Sequence, residues 1–156
     1  MPDSPLRAAR PVPDLKAALA VMREDGGRVS TSRRALLTVL FNASGPLSVE
    51  KLAAQAVPAQ DVPSTYRTLE RLEQVGLVRH VHLGHGPGLY ELESEGEREY
   101  AWCESCGSAA AFSPQRLDEA RSLIEQGIGY QPRFSHFPLV GKCAECLAAG
   151  KHGHSH

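Results

Sequence analysis

Four cysteines in two matched pairs are the residues of this chain best suited to do chemistry. Cys103 and Cys106 form one C-x-x-C motif, and the same spacing recurs at Cys143 and Cys146. A tight turn lets each pair of thiolates reach one ion at about 2.3 Å, and four thiolates complete a closed tetrahedral shell. The pattern predicts a structural Zn²⁺ ion with no open position for catalysis. The alternatives are a redox dithiol and four unrelated buried cysteines.

A thiol–disulfide oxidoreductase is the enzyme class that these motifs would support. Such an enzyme needs a thiol of low pKa at the N-terminus of a helix. Neither motif is predicted to precede a helix, and Gly107 follows the first. We therefore expect that the chain is not an enzyme.

The composition is that of an ordinary globular protein with one or two small domains. The 156 residues are 42% hydrophobic and 22% charged. Residues 1–89 hold 11 Lys and Arg against 8 Asp and Glu (+3), and residues 90–156 hold 6 against 10 (−4). This asymmetry fits two domains of which only the first approaches a polyanion. The chain has no apolar run of transmembrane length and no signal peptide, so we expect a cytoplasmic protein without membrane contact, in which cysteines favour metal over disulfides.

The first half of the chain has the pattern of a winged helix-turn-helix, a DNA-binding fold. Hydrophobic periodicity, caps and breakers predict four helices, at residues 14–24, 32–43, 49–56 and 61–75. Two β-prone segments, 77–83 and 89–92, flank the turn sequence GHGPG and predict a hairpin.

The second half is predicted to be a small α/β domain. Its elements are an acidic linker (93–99), strands at 100–102 and 109–112, a helix at 115–126 ended by Gly127 and Gly129, and a strand at 134–140. The predicted domains are a flexible segment (1–13), a winged-helix domain (14–92, with a hinge at about 83–98), a zinc-binding domain (99–147) and a flexible His-rich tail (148–156). The fold class is α+β.

The fourth helix carries a polar face that would suit DNA. Leu69 and Leu72 are predicted to face the core, and the opposite side offers hydroxyls and guanidinium groups from Ser64, Thr65, Arg67, Thr68 and Arg71. Such groups bind phosphates and base edges, and arginine grips guanine with two hydrogen bonds. An ordinary solvated helix face is the alternative.

Several separated segments together resemble one known family. They are RVSTSRRALL (28–37), SVEKL (48–52), STYRTLERLEQVGLV (64–78), CESCG (103–107) and GKCAEC (141–146). In this order they resemble the motifs of the ferric-uptake-regulator (Fur) family, over about residues 15–146. Residues 63–65 depart from the family pattern, because Pro-Ser-Thr stands where Ala-Thr-Val is usual.

The resemblance implies a homodimeric, metal-responsive transcriptional regulator. It would combine an N-terminal winged helix with a C-terminal α/β dimerisation domain, and it would bind palindromic double-stranded DNA. The family pattern places base contacts on Tyr66 and Arg67, and a backbone or minor-groove contact on Arg28. Repression by the metal-bound form is the usual behaviour of the family, acting on metal-homeostasis or oxidative-stress genes.

The regulatory metal site departs from the family pattern. A His-rich run usually precedes the first C-x-x-C, but this chain has EREY at residues 97–100. His80 and His82 lie two apart on a predicted strand and project from one face. With His136 they resemble the hinge ligands of the nickel-responsive branch. Glu91 would be a fourth ligand if it lies across the hairpin from His80.

An alternative site implied by the family would use carboxylates of the second domain. Its ligands would be Glu97, Glu99 and Asp118, together with His136. Ligand types leave the second divalent metal open among Ni²⁺, Fe²⁺, Mn²⁺ and Zn²⁺. Two other hypotheses remain, a regulator that has lost metal sensing and binds DNA constitutively, and a zinc scaffold that binds proteins instead of DNA.

Overall fold

The computed structural model describes residues 9–26, 28–83, 86 and 88–152, which form two compact units. The first unit contains four helices followed by a hairpin: α1 (Leu15–Glu24), α2 (Thr31–Asn42), α3 (Val49–Gln55), α4 (Val62–Gln74), β1 (Val78–His82) and β2 (Gly88–Leu92). The α+β fold class and the winged-helix order of elements are confirmed. None of the described helices is long and apolar enough to cross a membrane.

Short polar side chains fix where the first four helices begin. The side chains of Asp14, Ser30, Ser48 and Asp61 each accept a hydrogen bond from the backbone N–H three residues later, at 2.8–3.2 Å. These bonds satisfy donors that the first helical turn leaves open. At the other end of α4, Gly76 has a φ of 84°, a left-handed conformation that favours glycine.

The core of the first unit is a cluster of aliphatic side chains from all four helices. Its centre holds fully buried leucines of α2, α3 and α4: Leu36, Leu37, Leu52, Leu69 and Leu72. The hairpin joins this body through two backbone hydrogen bonds between Leu47 and Tyr90, of 2.9 and 2.8 Å. The hairpin, which is the wing of the winged-helix fold, is therefore tied to the segment between α2 and α3.

The second unit is built on a three-stranded sheet. Its strands are β3 (Glu99–Cys103), β4 (Ala109–Phe112) and β5 (Leu139–Gly141), in the order β4-β3-β5. Strand β3 runs antiparallel to β4 and parallel to β5, with Cys103 opposite Gly141. A 3₁₀ turn (Pro114–Leu117) leads into α5 (Asp118–Ile128), and α6 (Ala144–His152) follows β5.

Several predictions for the second unit were wrong. The strand expected at 134–140 covers only Leu139–Gly141, after Pro138, which has no N–H to donate to a ladder. Helix α5 continues through Gly127 and ends at Gly129, whose φ is 76°. Helix α6 was not predicted, and it includes residues 148–152 of the expected tail. Residues 1–8 and 153–156, the outer parts of the two predicted flexible ends, lie outside the described residues.

We expect the replacement of Leu72 by Ala to lower the free energy of unfolding by about 2–5 kcal/mol, because the truncation leaves a cavity in the core. The matched control is Glu70→Ala on the exposed side of the same helix, where a change within about 0.5 kcal/mol is expected. Urea unfolding followed by helical circular dichroism measures both. Equal stability of the two variants would contradict the described core.

Candidate metal centre and nucleic-acid interface

The sheet of the second unit brings the two C-x-x-C motifs together. Because β3 and β5 are parallel, their C-terminal ends meet at one edge, and Glu104 N–H donates to Gly141 O at 2.8 Å. The first motif turns back at Gly107, whose N–H donates to Cys103 O at 2.9 Å and whose φ is 72°. The second motif starts two residues after β5. Each pair of thiols is therefore delivered to the same place by the end of a strand.

The four sulfur atoms have the spacing of a tetrahedral site. The Sγ atoms of Cys103, Cys106, Cys143 and Cys146 all lie within 4.8 Å of one another. Cys106 Sγ and Cys143 Sγ are 3.8 Å apart, and a tetrahedron with metal–sulfur bonds of about 2.3 Å has edges of about 3.8 Å. The donor set and spacing fit Zn²⁺. Within the part of the chain that the structure describes, the His, Cys, Asp and Glu ligand atoms form this one close group of three or more.

Local hydrogen bonds prepare the cluster for ionisation. The N–H of Cys143, 3.3 Å from Cys103 Sγ, and the N–H of Cys106 lower the pKa of Cys103 to about 6. The hydroxyl of Ser108 lies 3.0 Å from Cys106 Sγ and lowers the pKa of that thiol. The neighbouring sulfurs of Cys143 and Cys103 raise the pKa of Cys146 to about 12. Four thiolates this close repel each other, so a cation must compensate for the charge before all four ionise.

The second motif begins a helix, contrary to the prediction. Helix α6 starts at Ala144, and Leu147 N–H donates to Cys143 O at 2.9 Å. This placement alone would suit a reactive thiol. However, the thiols of both motifs lie together in one cluster, which is the arrangement of a closed metal site.

The histidines predicted as hinge ligands lie on exposed positions. His80 and His82 are both exposed on β1, and the ring of His80 stacks on Tyr90 with centroids 4.7 Å apart. His136 is exposed and meets the edge of Phe137. His80 belongs to the first unit, whereas His82, the last residue of β1, and His136 are grouped with the second, so their assembly as a ligand set stays a prediction.

Glu91 does not lie across from His80, so this prediction was wrong. Its side chain is only 4% exposed and accepts a hydrogen bond from Arg79 Nε at 2.8 Å. Successive residues of a strand point to opposite faces. Since Tyr90 stacks on His80, Glu91 shares the other face with Arg79.

The carboxylates of the alternative site are paired with arginines. Glu99, predicted as part of a solvated linker, is buried in β3 and bound by Arg121, which lowers the pKa of this carboxyl. Glu97 pairs with Arg133. Asp118 lies 3.8 Å from Arg121 Nε. Arg121 was not among the predicted site residues, although it lies three positions after Asp118 on a helix, which is the spacing of a side-chain pair.

Helix α4 presents part of the predicted DNA-binding set to solvent. Tyr66 is 49% exposed and Arg67 is exposed. Ser64 is half-buried, and its hydroxyl donates to Asp61 at 2.8 Å and lies 3.4 Å from Arg67 Nη2. Arg28 is exposed before α2. Tyr66, Arg67 and Arg28 are therefore accessible to a ligand of the first unit.

Other predicted DNA contacts face the protein itself. Thr65 is fully buried, and its hydroxyl donates to Asp61 O at 2.8 Å, so its predicted DNA contact was wrong. Thr68 is half-buried and donates to Ser64 O at 3.2 Å. Arg71 forms an ion pair with Asp25 and ties α4 to the end of α1. These side chains fix the position of the helix instead of extending from it.

Comparisons with known proteins agree with this architecture. Residues 24–135 match the model of the ferric uptake regulator family. The chain is 26% identical over 142 residues to the peroxide operon regulator of Bacillus subtilis, covering 89% of this chain and 97% of that protein. It is 24% identical over 131 residues to the ferric uptake regulation protein of Campylobacter jejuni, covering 81% and 83% of the two chains.

Solved structures share the fold. A zinc-bound manganese uptake regulator superposes with a TM-score of 0.62 at 19% identity, covering 81% of this chain and 98% of that one. The ferric uptake regulator of Helicobacter pylori superposes with a TM-score of 0.58 at 18% identity, covering 88% and 97%.

We expect the purified chain to hold one tightly bound Zn²⁺ ion, and the substitution Cys106→Ser to lose it, because three thiolates no longer close the shell. The matched control is Ser105→Ala, an exposed change within the same motif. Metal content by mass spectrometry measures the ion. The fluorescence of Trp102, the single tryptophan and the neighbour of Cys103, reports the accompanying loss of structure. Full zinc content in Cys106→Ser would contradict a four-thiolate site.

Proposed function

The chain belongs to the ferric uptake regulator family, and we propose that it is a metal-dependent repressor whose structural zinc and regulatory metal occupy separate sites. Family members are DNA-binding transcriptional regulators and not enzymes. The genes that it controls would serve metal homeostasis or the response to oxidative stress. Because it acts on DNA, the protein would work in the cytoplasm.

The observation that carries the proposal is the two-sided arrangement of α4. Leu69 and Leu72 anchor one side of the helix in the core with no exposed surface, while Tyr66 and Arg67 reach solvent on the other. Helix-turn-helix proteins read DNA with a helix held in this way, placing its N-terminal residues in the major groove. Arg67 would contact base edges together with Tyr66, and Arg28 would contact the backbone or minor groove.

The second unit has the surface that a homodimer needs. Five large apolar side chains are 58–73% exposed in the single chain: Leu123, Ile128, Tyr130, Phe137 and Val140. Strand β5 is also exposed at the edge of its sheet. Exposed large apolar side chains and open strand edges are typical of protein interfaces. A symmetric dimer would match the palindromic DNA site that we expect.

The two metals would have different roles. Zinc at the four cysteines would be permanent, because a closed shell leaves no position for exchange with a substrate. The proposed regulatory ligands are His80, His82 and His136, and this part rests on the sequence pattern and on the exposure of all three side chains. A metal bound there would favour the DNA-binding arrangement of the dimer, and DNA would tighten metal binding by the same factor. Imidazole ligands leave Ni²⁺, Fe²⁺, Mn²⁺ and Zn²⁺ as candidates.

A regulator that binds DNA without sensing metal is the second candidate function. The observation that favours it is the pairing of Glu97, Glu99 and Asp118 with arginines. If the histidine site also binds no metal, the zinc-stabilised dimer would bind DNA equally well with and without added metal. The two candidates differ in whether an added metal changes the affinity for DNA.

We expect Arg67→Ala to weaken binding to the promoter DNA of the protein's own gene by about 1–3 kcal/mol, the value of a good base contact. Arg116→Ala, an exposed change in the 3₁₀ turn of the second unit, serves as the control and should bind normally. Fluorescence anisotropy at several salt concentrations measures the affinity and its salt dependence. Wild-type affinity in Arg67→Ala would refute the proposed orientation of α4.

We expect His82→Ala to abolish the metal dependence of DNA binding while leaving the melting temperature unchanged, since the side chain is exposed. The test adds Ni²⁺, Fe²⁺, Mn²⁺ or Zn²⁺ to zinc-containing protein and measures DNA affinity. A chain without residues 153–156 controls for metal collected by the terminal histidines. If His82→Ala responds to metal as the wild type does, the histidine site is not the sensor.

A further inference from the structure

The carboxylates that the sequence offered as an alternative metal site are already paired with guanidinium groups, Glu99 and Asp118 with Arg121 and Glu97 with Arg133. We propose that Arg121 is the permanent cation of this site and excludes divalent metal ions from Glu97, Glu99 and Asp118. This inference goes beyond the proposed function and is independent of whether His80, His82 and His136 bind metal.

The guanidinium sits among oxygen atoms from three segments. Arg121 Nη1 donates to Glu99 Oε2 at 2.9 Å and to Pro132 O at 3.0 Å. Arg121 Nη2 donates to Glu99 Oε1 and to Pro114 O. Carboxylate and carbonyl oxygens of this kind are also the ligands that hard divalent cations prefer. Here these oxygen atoms surround an arginine of α5 and accept its hydrogen bonds.

Glu99 has both carboxylate oxygens engaged. Oε2 accepts from Phe134 N–H at 2.6 Å in addition to Arg121, and Oε1 accepts from Arg121 Nη2. The side chains of Glu99 and Arg121 are only 4% and 16% exposed. A divalent ion that bound Glu99 would have to displace these donors and would meet an unscreened positive charge in a poorly solvated site.

The surrounding contacts hold the arginine in this position. Its guanidinium carbon lies 5.7 Å from the ring centroid of Phe134, within the range of a cation–π interaction. Asp118 approaches from one turn earlier in α5, at 3.8 Å from Nε. The planar fork of arginine can serve several acceptors at once, which a lysine ammonium cannot do with the same geometry. The result is a clamp that joins β3, the 3₁₀ turn and residues 132–134 without a metal ion.

The other two carboxylates are more exposed than that of Glu99, and each lies beside an arginine. Glu97 pairs with Arg133, and both side chains are mostly exposed, at 60% and 73%. The side chain of Asp118 is 70% exposed. Both can be neutralised with little risk to the fold, and each lies beside an arginine that opposes the approach of a divalent ion.

The first test counts Mn²⁺ ions, since Mn²⁺ favours carboxylate oxygen. Full-length, zinc-containing protein is titrated with Mn²⁺ and the free ion is measured by electron paramagnetic resonance. The double variant Glu97→Gln with Asp118→Asn is expected to bind as many Mn²⁺ ions as the wild type, with affinities within twofold. The loss of an ion, or a tenfold weaker affinity, in the double variant would overturn the proposal.

The second test removes the resident cation. Arg121→Met is expected to bind one further Mn²⁺ ion per chain, which the wild type does not bind. Adding Glu97→Gln and Asp118→Asn to Arg121→Met should abolish the gain. Arg116→Met, the exposed arginine five residues earlier, is the matched control and should gain nothing. A folded Arg121→Met that gains no Mn²⁺ would overturn the exclusion by the guanidinium, and the first test decides the question if this variant does not fold.

Discussion

Repulsion among four thiolates is the constraint on which the second unit depends. The parallel pairing of β3 and β5 forces the sulfur atoms of Cys103 and Cys143 to the same edge of a small sheet. Hydrogen bonds lower the pKa of Cys103, but the neighbouring sulfurs raise that of Cys146. The backbone therefore prepares a site that only a bound cation can complete. The energy of metal binding becomes part of the energy of folding in such a site.

The second unit also compensates the charge of a buried carboxylate, but it does so with a side chain instead of a metal ion. Glu99 is buried near the start of β3, whereas Cys103 ends the same strand. The thiolate end needs an ion from solution, and the carboxylate end receives the side chain of Arg121. One cation is taken up from solution and the other is covalently part of the chain. A single five-residue strand thus joins a metal-dependent site to a metal-independent one.

Local signals in the sequence were sufficient for much of the fold. The N-cap side chains of Asp14, Ser30 and Ser48 act within one helical turn, and the C-x-x-C spacing is itself a local geometry. Helix α6 was missed because its short, Ala-rich sequence shows no hydrophobic period. The candidate site was predicted unevenly: the structure brings the four cysteines together as expected, whereas the pairing of the carboxylates with arginines was not foreseen. The contact of Arg121 with Glu99 joins residues 22 positions apart, and no local pattern encodes it.

Polarity alone also misassigned part of α4. The hydroxyl of Thr65 is satisfied by Asp61 O within its own helix, which allows a polar residue to be fully buried in an aliphatic core. Arg71 is long enough to reach back to Asp25, so its charge serves the packing of α1 on α4. The helix therefore exposes fewer cationic groups than its sequence suggests. The surface that α4 presents to solvent consists of the side chains that are not used in packing or in internal ion pairs.

The two backbone hydrogen bonds between Leu47 and Tyr90 give the wing a mechanical role. They make β2 continuous with the segment between α2 and α3, so the hairpin cannot bend away without breaking them. His80 lies on the paired strand and stacks on Tyr90 itself. A ligand that binds His80 is therefore connected, through Tyr90 and Leu47, to the helical part of the first unit.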